Sequence, residues 1–159
     1  MDDNPVTLTI YNYRRISSDL GTSGMPRREQ FTEIAEAGYQ AVINLALATS
    51  QGQLPDEEQL VQALGMEYIH IPVVWESPQP ADLEHFFQAM DALEGRRVFV
   101  HCQANYRVSA FVYLYRTLRL GVPEPVARQD LLSIWTPDDV WKMFLEAAQE
   151  RRGPNEPDQ

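Results

Sequence analysis

The sequence predicts an α/β fold, a single three-layer α/β/α domain around a mostly parallel central sheet. Three observations indicate it. Segments with strand character alternate with segments whose apolar residues recur at helical spacing. The strand segments include short apolar runs such as Ala41–Leu45, which are typical of strands buried on both faces of a parallel sheet. The length of 159 residues suits one domain with an ordinary core.

The first half of the chain is predicted to hold three strands and two helices. Thr7–Tyr13 is rich in β-branched and aromatic residues and predicts the first strand. Helical spacing predicts a helix over about 27–37, and Ala41–Leu45 predicts the second strand. A helix over about 55–64 follows, because proline is favoured in the first helical turn. Tyr68–Val73 then predicts the third strand.

The second half is predicted to hold one more strand and four helices. Apolar residues at helical spacing predict a helix over 81–93, and Arg97–His101 predicts the last strand. A helix is expected from the following loop to Leu120, and two more over about 125–134 and 137–149. We expect one domain over residues 1–150. The polar segment 151–159, interrupted by proline and glycine, predicts a disordered tail.

Composition narrows the possible partners and locations. The chain has 13 basic and 23 acidic residues, a formal net charge of −10, which disfavours broad binding to nucleic acid or anionic membranes. The sequence starts with no basic, apolar leader and has no apolar run of membrane-spanning length, so a cytoplasmic location is expected. The sequence does not indicate which oligomeric state the protein adopts.

The single cysteine, Cys102, excludes an internal disulfide. His70 and His85 show no metal-ligand spacing with each other or with Cys102, so we expect no metal site and no other cofactor. The thiol is therefore a buried apolar residue, an incidental surface residue or a reactive group.

The residues around Cys102 favour the reactive alternative. An apolar strand ends at His101, a few residues turn, and a helix begins. Such a turn directs backbone N–H groups and the positive end of a helix dipole at one point, where both an anion and a thiolate are stabilised. Arg107 offers a planar guanidinium suited to two phosphate oxygens. The amides expected to bind phosphate are those of Gln103, Ala104, Asn105, Tyr106 and Val108.

The segment from His101 to Ser109 resembles the signature of protein-tyrosine and dual-specificity phosphatases: His-Cys, five residues, Arg, then Ser or Thr. Thr22–Pro26, Ala37–Leu45 and Ile71–Val73 resemble a bacterial phosphatase-like family related to the β-lactamase-hydrolase-like proteins. The resemblance extends roughly over residues 11–116.

This resemblance implies a tyrosine-phosphatase-like fold and hydrolysis of phosphate monoesters through a cysteinyl-phosphate, with Cys102 as nucleophile. It implies that His101 tunes the cysteine and that Ser109 aids turnover, by donating its hydroxyl to the sulfur or later to the leaving group. The substrate would be a phosphorylated small molecule or a phosphoprotein.

The arginine position departs from the signature. Counted from Cys102, that position falls on Val108, and Arg107 comes one residue early. One residue at a helix start rotates a side chain by about 100°. Either the loop is rearranged so that Arg107 still reaches the anion, or phosphate binding is weakened or lost. Asn105 replaces the usual glycine, an exchange that suits a positive φ.

Two alternatives to a phosphatase therefore stay open. Four residues between cysteine and arginine also match the loop of single-domain rhodaneses, which transfer sulfur from a persulfide. A non-catalytic relative that only binds phosphate is the other alternative.

A cysteine phosphatase also needs a proton donor for the leaving oxygen. Glu76, which follows Ile71–Val73, is the nearest candidate for this general acid. Asp82 is interpreted as a residue of a helix start instead, and Asp138 and Asp139 as helix caps.

Overall fold

The computed structural model describes residues 8–151. Within that range the strands are β1 (Arg14–Ser17), β2 (Leu20–Ser23), β3 (Ala41–Asn44), β4 (Glu67–His70) and β5 (Val98–His101). The helices are α1 (Arg28–Glu36), α2 (Glu57–Ala63), α3 (Pro80–Ala92), α4 (Tyr106–Leu118), α5 (Glu124–Ile134) and α6 (Asp139–Arg151).

The strands form one sheet in the order β1-β2-β5-β3-β4. β1 pairs antiparallel with β2, and the other three pairings are parallel. β5 therefore lies in the middle of the sheet. The predicted mostly parallel three-layer fold is confirmed, and β5 ends where ligand sites of such sheets lie.

Side chains of the central strands alternate between two apolar clusters, one on each face of the sheet. In β5, Val98 and Val100 pack into the larger cluster with α3, α4, α5 and α6. Phe99 packs on the other face with residues of α1 and α2. This double burial explains why the central strands are recognisable as continuous apolar runs.

The strand predicted at Thr7–Tyr13 is wrong over the described residues 8–13, and Thr7 lies outside them. Asn12 has a φ of 52°, and the amide of Tyr13 donates to the carbonyl of Ile10, so the backbone turns there. Leu8 and Ile10 are buried in the second cluster. The apolar residues in this segment are thus buried as part of a loop and not as part of a strand. The strands that form instead, β1 and β2, were missed because their composition is mixed rather than continuously apolar, and β2 contains Gly21.

Helix ends agree with the predictions within a few residues. Asp82 accepts a hydrogen bond from the amide of Gln79 at the start of α3, and Asp138 accepts one from the amide of Trp141. Both aspartates are confirmed as helix-start residues. Of the predicted tail 151–159, Arg151 is the last residue of α6, and 152–159 lie outside the described residues.

Across residues 8–151, no helix is both long enough and apolar enough to cross a membrane.

Candidate active site

The loop between β5 and α4 borders a cavity of about 240 Å³. The residues that line it are Trp75, Cys102, Gln103, Ala104, Tyr106 and Arg107. It lies at the carboxyl end of the central strand and at the amino end of α4, so the helix dipole favours an anion there. The structure thus brings together the cysteine, the arginine and most of the loop residues singled out from the sequence.

Cys102 has no solvent-exposed area, and its side chain contacts the larger apolar cluster. It also lines the cavity. A ligand would therefore reach the thiol only from the cavity. Its backbone amide donates to the carbonyl of Ser23 at 3.3 Å, which ties the start of the loop to β2.

Arg107, and not Val108, is the side chain that borders the cavity. Arg107 lines the cavity, whereas Val108, at the usual arginine position, is fully buried in the apolar cluster. Asn105 has a φ of 70°, and α4 begins at the next residue, Tyr106. Arg107 therefore lies in the first turn of α4, where its side chain borders the cavity.

Arg107 is a buried cation. It is 5% exposed, and its Nη1 donates to the backbone carbonyl of Val73 at 2.8 Å. No carboxylate of residues 8–151 forms an ion pair with it. Burying a charge without a counter-charge is unfavourable, and an anion in the adjoining cavity would relieve that cost.

Hydrogen bonds hold the carbonyl groups of the loop on its outer side. The amide of Met25 donates to the carbonyl of Gln103, and the side chain of Asn12 donates to that of Ala104, both at 2.9 Å. The hydroxyl of Ser109 donates to the carbonyl of Tyr106 at 3.0 Å. Because a trans peptide is planar, each N–H points opposite to the preceding carbonyl.

The backbone amides that follow these carbonyls therefore point away from the groups of Met25, Asn12 and Ser109 that donate to the carbonyls. In residues 8–151, the amides of Gln103, Ala104 and Asn105 donate to no backbone acceptor. The first amides of α4 also lack partners within the helix, as at any helix start. The loop thus offers a set of free donors beside Arg107.

Gly24 permits the close contact that holds the loop. A Cβ at this position would lie 2.8 Å from the carbonyl oxygen of Gln103 and 3.1 Å from the Cα of Ala104. Any other residue would push the segment away from the loop and lengthen the bond from Met25 to Gln103.

His101 forms a buried pair with Glu57 of α2. The imidazole is 0% exposed and the glutamate 1%, with 2.6 Å between Nε2 and Oε2. Burial alone raises the pKa of Glu57, but the charge of His101 and hydrogen bonds from His101, Gln53 and Tyr68 together hold it below its usual value. Glu57 was missed from the sequence, because an acidic residue in a first helical turn is ordinary.

The structure does not bring Ser109 to the thiol. Its hydroxyl donates to Tyr106 and accepts a hydrogen bond from the indole of Trp135, and in the described part of the chain it makes none to Cys102. The predicted hydrogen bond to sulfur is therefore not the one formed. The hydroxyl is used within the first turn of α4, where serine commonly bonds to a nearby carbonyl.

Neither Glu76 nor the side chain of Asn105 lines the cavity, although both residues adjoin residues that do. Glu76 is exposed in the turn that follows Trp75, which does line it. The side chain of Asn105 is buried and donates to the carbonyl of Asn12 and the hydroxyl of Thr22. Asn105 thus fixes the shape of the loop.

Aromatic rings form one wall of the cavity. Tyr106 stacks on Trp135 with centroids 4.6 Å apart and planes 2° from parallel. Trp75 contacts both rings, and its carbonyl accepts the indole N–H of the fully buried Trp141. The wall ties the loop at Trp75 to α4 and α6. The part that Trp75 plays in this wall was not predicted, because the sequence does not show which distant segments come into contact.

No group of three or more His, Cys, Asp or Glu side chains in the range 8–151 is arranged to hold a metal ion.

A central strand, a cysteine loop with free amides and a helix that begins at this loop define the class of tyrosine-phosphatase-like domains. A family model described as "DSP-PTPase phosphatase fused to NAD+ Kinase" matches residues 19–134. The chain belongs to this family, and the resemblance to bacterial dual-specificity-phosphatase-like proteins is confirmed.

Relatives agree with this assignment. A "Beta-lactamase hydrolase-like protein" of Xylella fastidiosa is 32% identical over 95 residues, which are 58% of this chain and 22% of that protein. The chain thus matches less than a quarter of the length of this curated relative. A solved DUF442 protein of Shewanella putrefaciens, named provisionally as a phosphatase, is 37% identical with a TM-score of 0.84, over 91% of this chain and 95% of that one.

A more distant solved structure shares the fold. Tk-PTP in its active form is 20% identical with a TM-score of 0.72, over 88% of this chain and 97% of that one.

Proposed function

We propose that the protein is a cysteine-dependent phosphatase that hydrolyses phosphate monoesters. The observation that carries the proposal is the buried Arg107, unpaired with any carboxylate of the described residues, in the same cavity as the only cysteine. A guanidinium, free amides and a helix start converge there, and a dianionic phosphate is the ligand that all three stabilise.

In the proposed reaction the Cys102 thiolate attacks phosphorus, and the bond from phosphorus to the ester oxygen breaks. The leaving oxygen takes a proton from a general acid, for which Glu76 is the candidate because it follows the cavity residue Trp75. Water then cleaves the phosphorus–sulfur bond and returns a proton to the general acid, which releases inorganic phosphate and regenerates the thiolate.

Arg107 and the loop amides stabilise the charge on the equatorial oxygens during both steps. The amides assigned to this role are those of Gln103, Ala104, Asn105, Tyr106 and Val108. The predicted role of Ser109 in turnover requires its hydroxyl to leave the carbonyl of Tyr106 and rotate towards the sulfur.

The substitution Cys102→Ser tests the proposal. We expect loss of p-nitrophenyl phosphate hydrolysis, because a serine hydroxyl stays protonated and is a weak nucleophile there. Thermal stabilisation by inorganic phosphate should persist, since the amides and Arg107 are unchanged. The wild-type protein, quenched during turnover, should carry one phosphoryl group on Cys102. Unchanged hydrolysis in the variant would contradict the proposal.

Two measurements on the wild-type protein distinguish the alternative functions from the proposed one. Phosphate-induced stabilisation of the wild type without turnover of any ester would indicate a non-catalytic phosphate-binding protein. Thiocyanate formed from thiosulfate and cyanide, with one added sulfur on Cys102, would indicate a sulfurtransferase.

A further inference from the structure

Glu57 and His101 are joined on the face of the sheet that α1 and α2 cover, although they are far apart in the chain. The imidazole Nε2 lies 2.6 Å from Oε2 of Glu57, and Nδ1 lies 3.4 Å from the carbonyl oxygen of Cys102. The ring packs edge-on against Phe31, with centroids 5.9 Å apart. These contacts fix the plane of the imidazole in a fully buried position.

Both ring nitrogens of His101 face hydrogen-bond acceptors. A carboxylate and a backbone carbonyl cannot donate, so both contacts are satisfied only when both nitrogens carry a proton. The ring is then a buried imidazolium, and Glu57 is its counter-ion. A buried charge of this kind needs such a partner, and Glu57 provides it inside the fold.

The carbonyl held by His101 belongs to the loop itself. Because the peptide is planar, fixing the carbonyl of Cys102 directs the amide of Gln103 to the opposite side, together with the other free amides. A positive charge one residue from Cys102 also favours the thiolate over the thiol.

We propose that Glu57 is a positioning residue that holds His101 as an imidazolium behind the loop and thereby keeps Cys102 ionised. The inference rests on the proposed function in one respect, that the thiolate is the nucleophile. It goes beyond that function by assigning a role to a carboxylate of α2 that does not line the cavity beside Cys102.

Within residues 8–151, Glu57 and His101 have few other polar neighbours. Tyr68 of β4 and Gln53 hydrogen-bond with Glu57, and Arg107 of α4 lies across the cavity beside Cys102. Tyr68 and Gln53 are uncharged, so Arg107 is the cation that acts on the thiol in parallel with His101. The test must therefore leave Arg107 in place.

The test uses Glu57→Gln, which keeps the size of the side chain and removes its charge. Cys102 is the only cysteine, so the rate of alkylation by iodoacetamide reports its ionisation directly as pH is varied. We expect the pH midpoint of alkylation to rise, with a rate about tenfold lower below the midpoint, equivalent to about 1.4 kcal/mol. An unchanged midpoint in a folded variant would overturn the proposal.

Glu58→Gln is the matched control, because Glu58 is the exposed neighbour on α2 and its carboxylate accepts only from Gln62 in the described residues. It should alkylate like the wild type. A shift equal to that of Glu57→Gln would mean that the effect is general surface charge, and the proposal would fail.

A double-mutant cycle tests whether Glu57 acts through His101. In a His101→Asn background, Glu57→Gln should cause no further shift of the midpoint. An additional shift of the same size would show that Glu57 acts independently of His101, contrary to the proposal.

A measurement on a protein that keeps both Glu57 and His101 covers the case in which the Glu57 variant does not fold. Nitrogen-15 spectra should show both ring nitrogens of His101 protonated at neutral pH, with the exposed His70 and His85 removed by substitution to simplify assignment. A neutral His101 ring would overturn the proposal. Neither alkylation nor these spectra need a phosphate ester, so their outcome is separate from that of the proposed phosphatase activity.

Discussion

Two arginines of α4, the half-buried Arg116 and the buried Arg107, have opposite surroundings. Arg116 donates to Asp130 at 2.6 Å, and Arg14 of β1 pairs with the other oxygen of the same carboxylate at 2.7 Å. Arg107 has no such partner in residues 8–151, and its bond goes to the carbonyl of Val73. The free volume beside Arg116 is about 10 Å³, against about 240 Å³ beside Arg107.

The difference separates a structural charge from one that awaits a ligand. Around Arg116 the counter-charge is built into the fold and no room is left for another molecule. Around Arg107 the fold provides the room and the donors but no anion. In a protein with a net charge of −10, keeping carboxylates away from one buried guanidinium is a specific property of that site.

The largest effect should come from removing each arginine in turn. Arg107→Ala should lower kcat/KM for p-nitrophenyl phosphate by about a thousandfold, because the equatorial oxygens lose their cation in the transition state. Arg116→Ala should keep activity of the same order as the wild type. Steady-state kinetics of both variants check this, and similar losses in the two would remove the distinction between the sites.

A smaller effect on kcat is expected from the substitution of Glu76, the proposed general acid. Asp130 forms two ion pairs, whereas Glu76 is exposed and forms none with the described residues. Glu76→Gln should lower kcat for phenyl phosphate by about a hundredfold, because its leaving oxygen needs a proton. The loss for p-nitrophenyl phosphate should be less, since that leaving group is stable as an anion.

The dependence on the leaving group is the control for this second prediction. An equal loss on both esters would mean that Glu76 is not the acid. Asp82→Asn, which changes a residue of a helix start, should leave the ratio of the two rates unchanged.

The smallest effect concerns stability. Arg116→Ala should lower the free energy of unfolding by about 1–2 kcal/mol, because a part-buried hydrogen-bonded ion pair is lost. Arg107→Ala, measured without phosphate, should not lower it, since that variant removes a buried charge that lacks a counter-ion. Urea unfolding of both variants checks the prediction, and a greater loss for Arg107→Ala would contradict the comparison.

The element order of this protein was largely predictable from local patterns. Buried strands such as β3 and β5 carry continuous apolar runs, and helix starts carry prolines and aspartates, so both are readable within a few residues. β1 and β2 were not, because strands of mixed composition are formed by pairing with neighbours rather than by their own pattern.

The functional loop was predictable in part. A lone cysteine between an apolar strand and a helix start indicates an anion site from local physics alone. Which of Arg107 and Val108 faces the cavity was not decided by counting, because the answer depends on where α4 begins. The left-handed backbone of Asn105, held by its bonds to Asn12 and Thr22, places that start.

By itself, the sequence determined the α/β class and the position of Cys102 directly after an apolar strand, and its motifs indicated the family. The class and the position of Cys102 follow from periodicity and from neighbouring residues, whereas the family follows from the resemblance of the segment from His101 to Ser109 to a known signature. Tertiary structure alone decided that Glu57 pairs with His101 and that Ser109 bonds to Tyr106 instead of the thiol. The physical reason is that a buried polar group takes whichever partner the folded chain brings within about 3 Å, and sequence distance does not specify that partner.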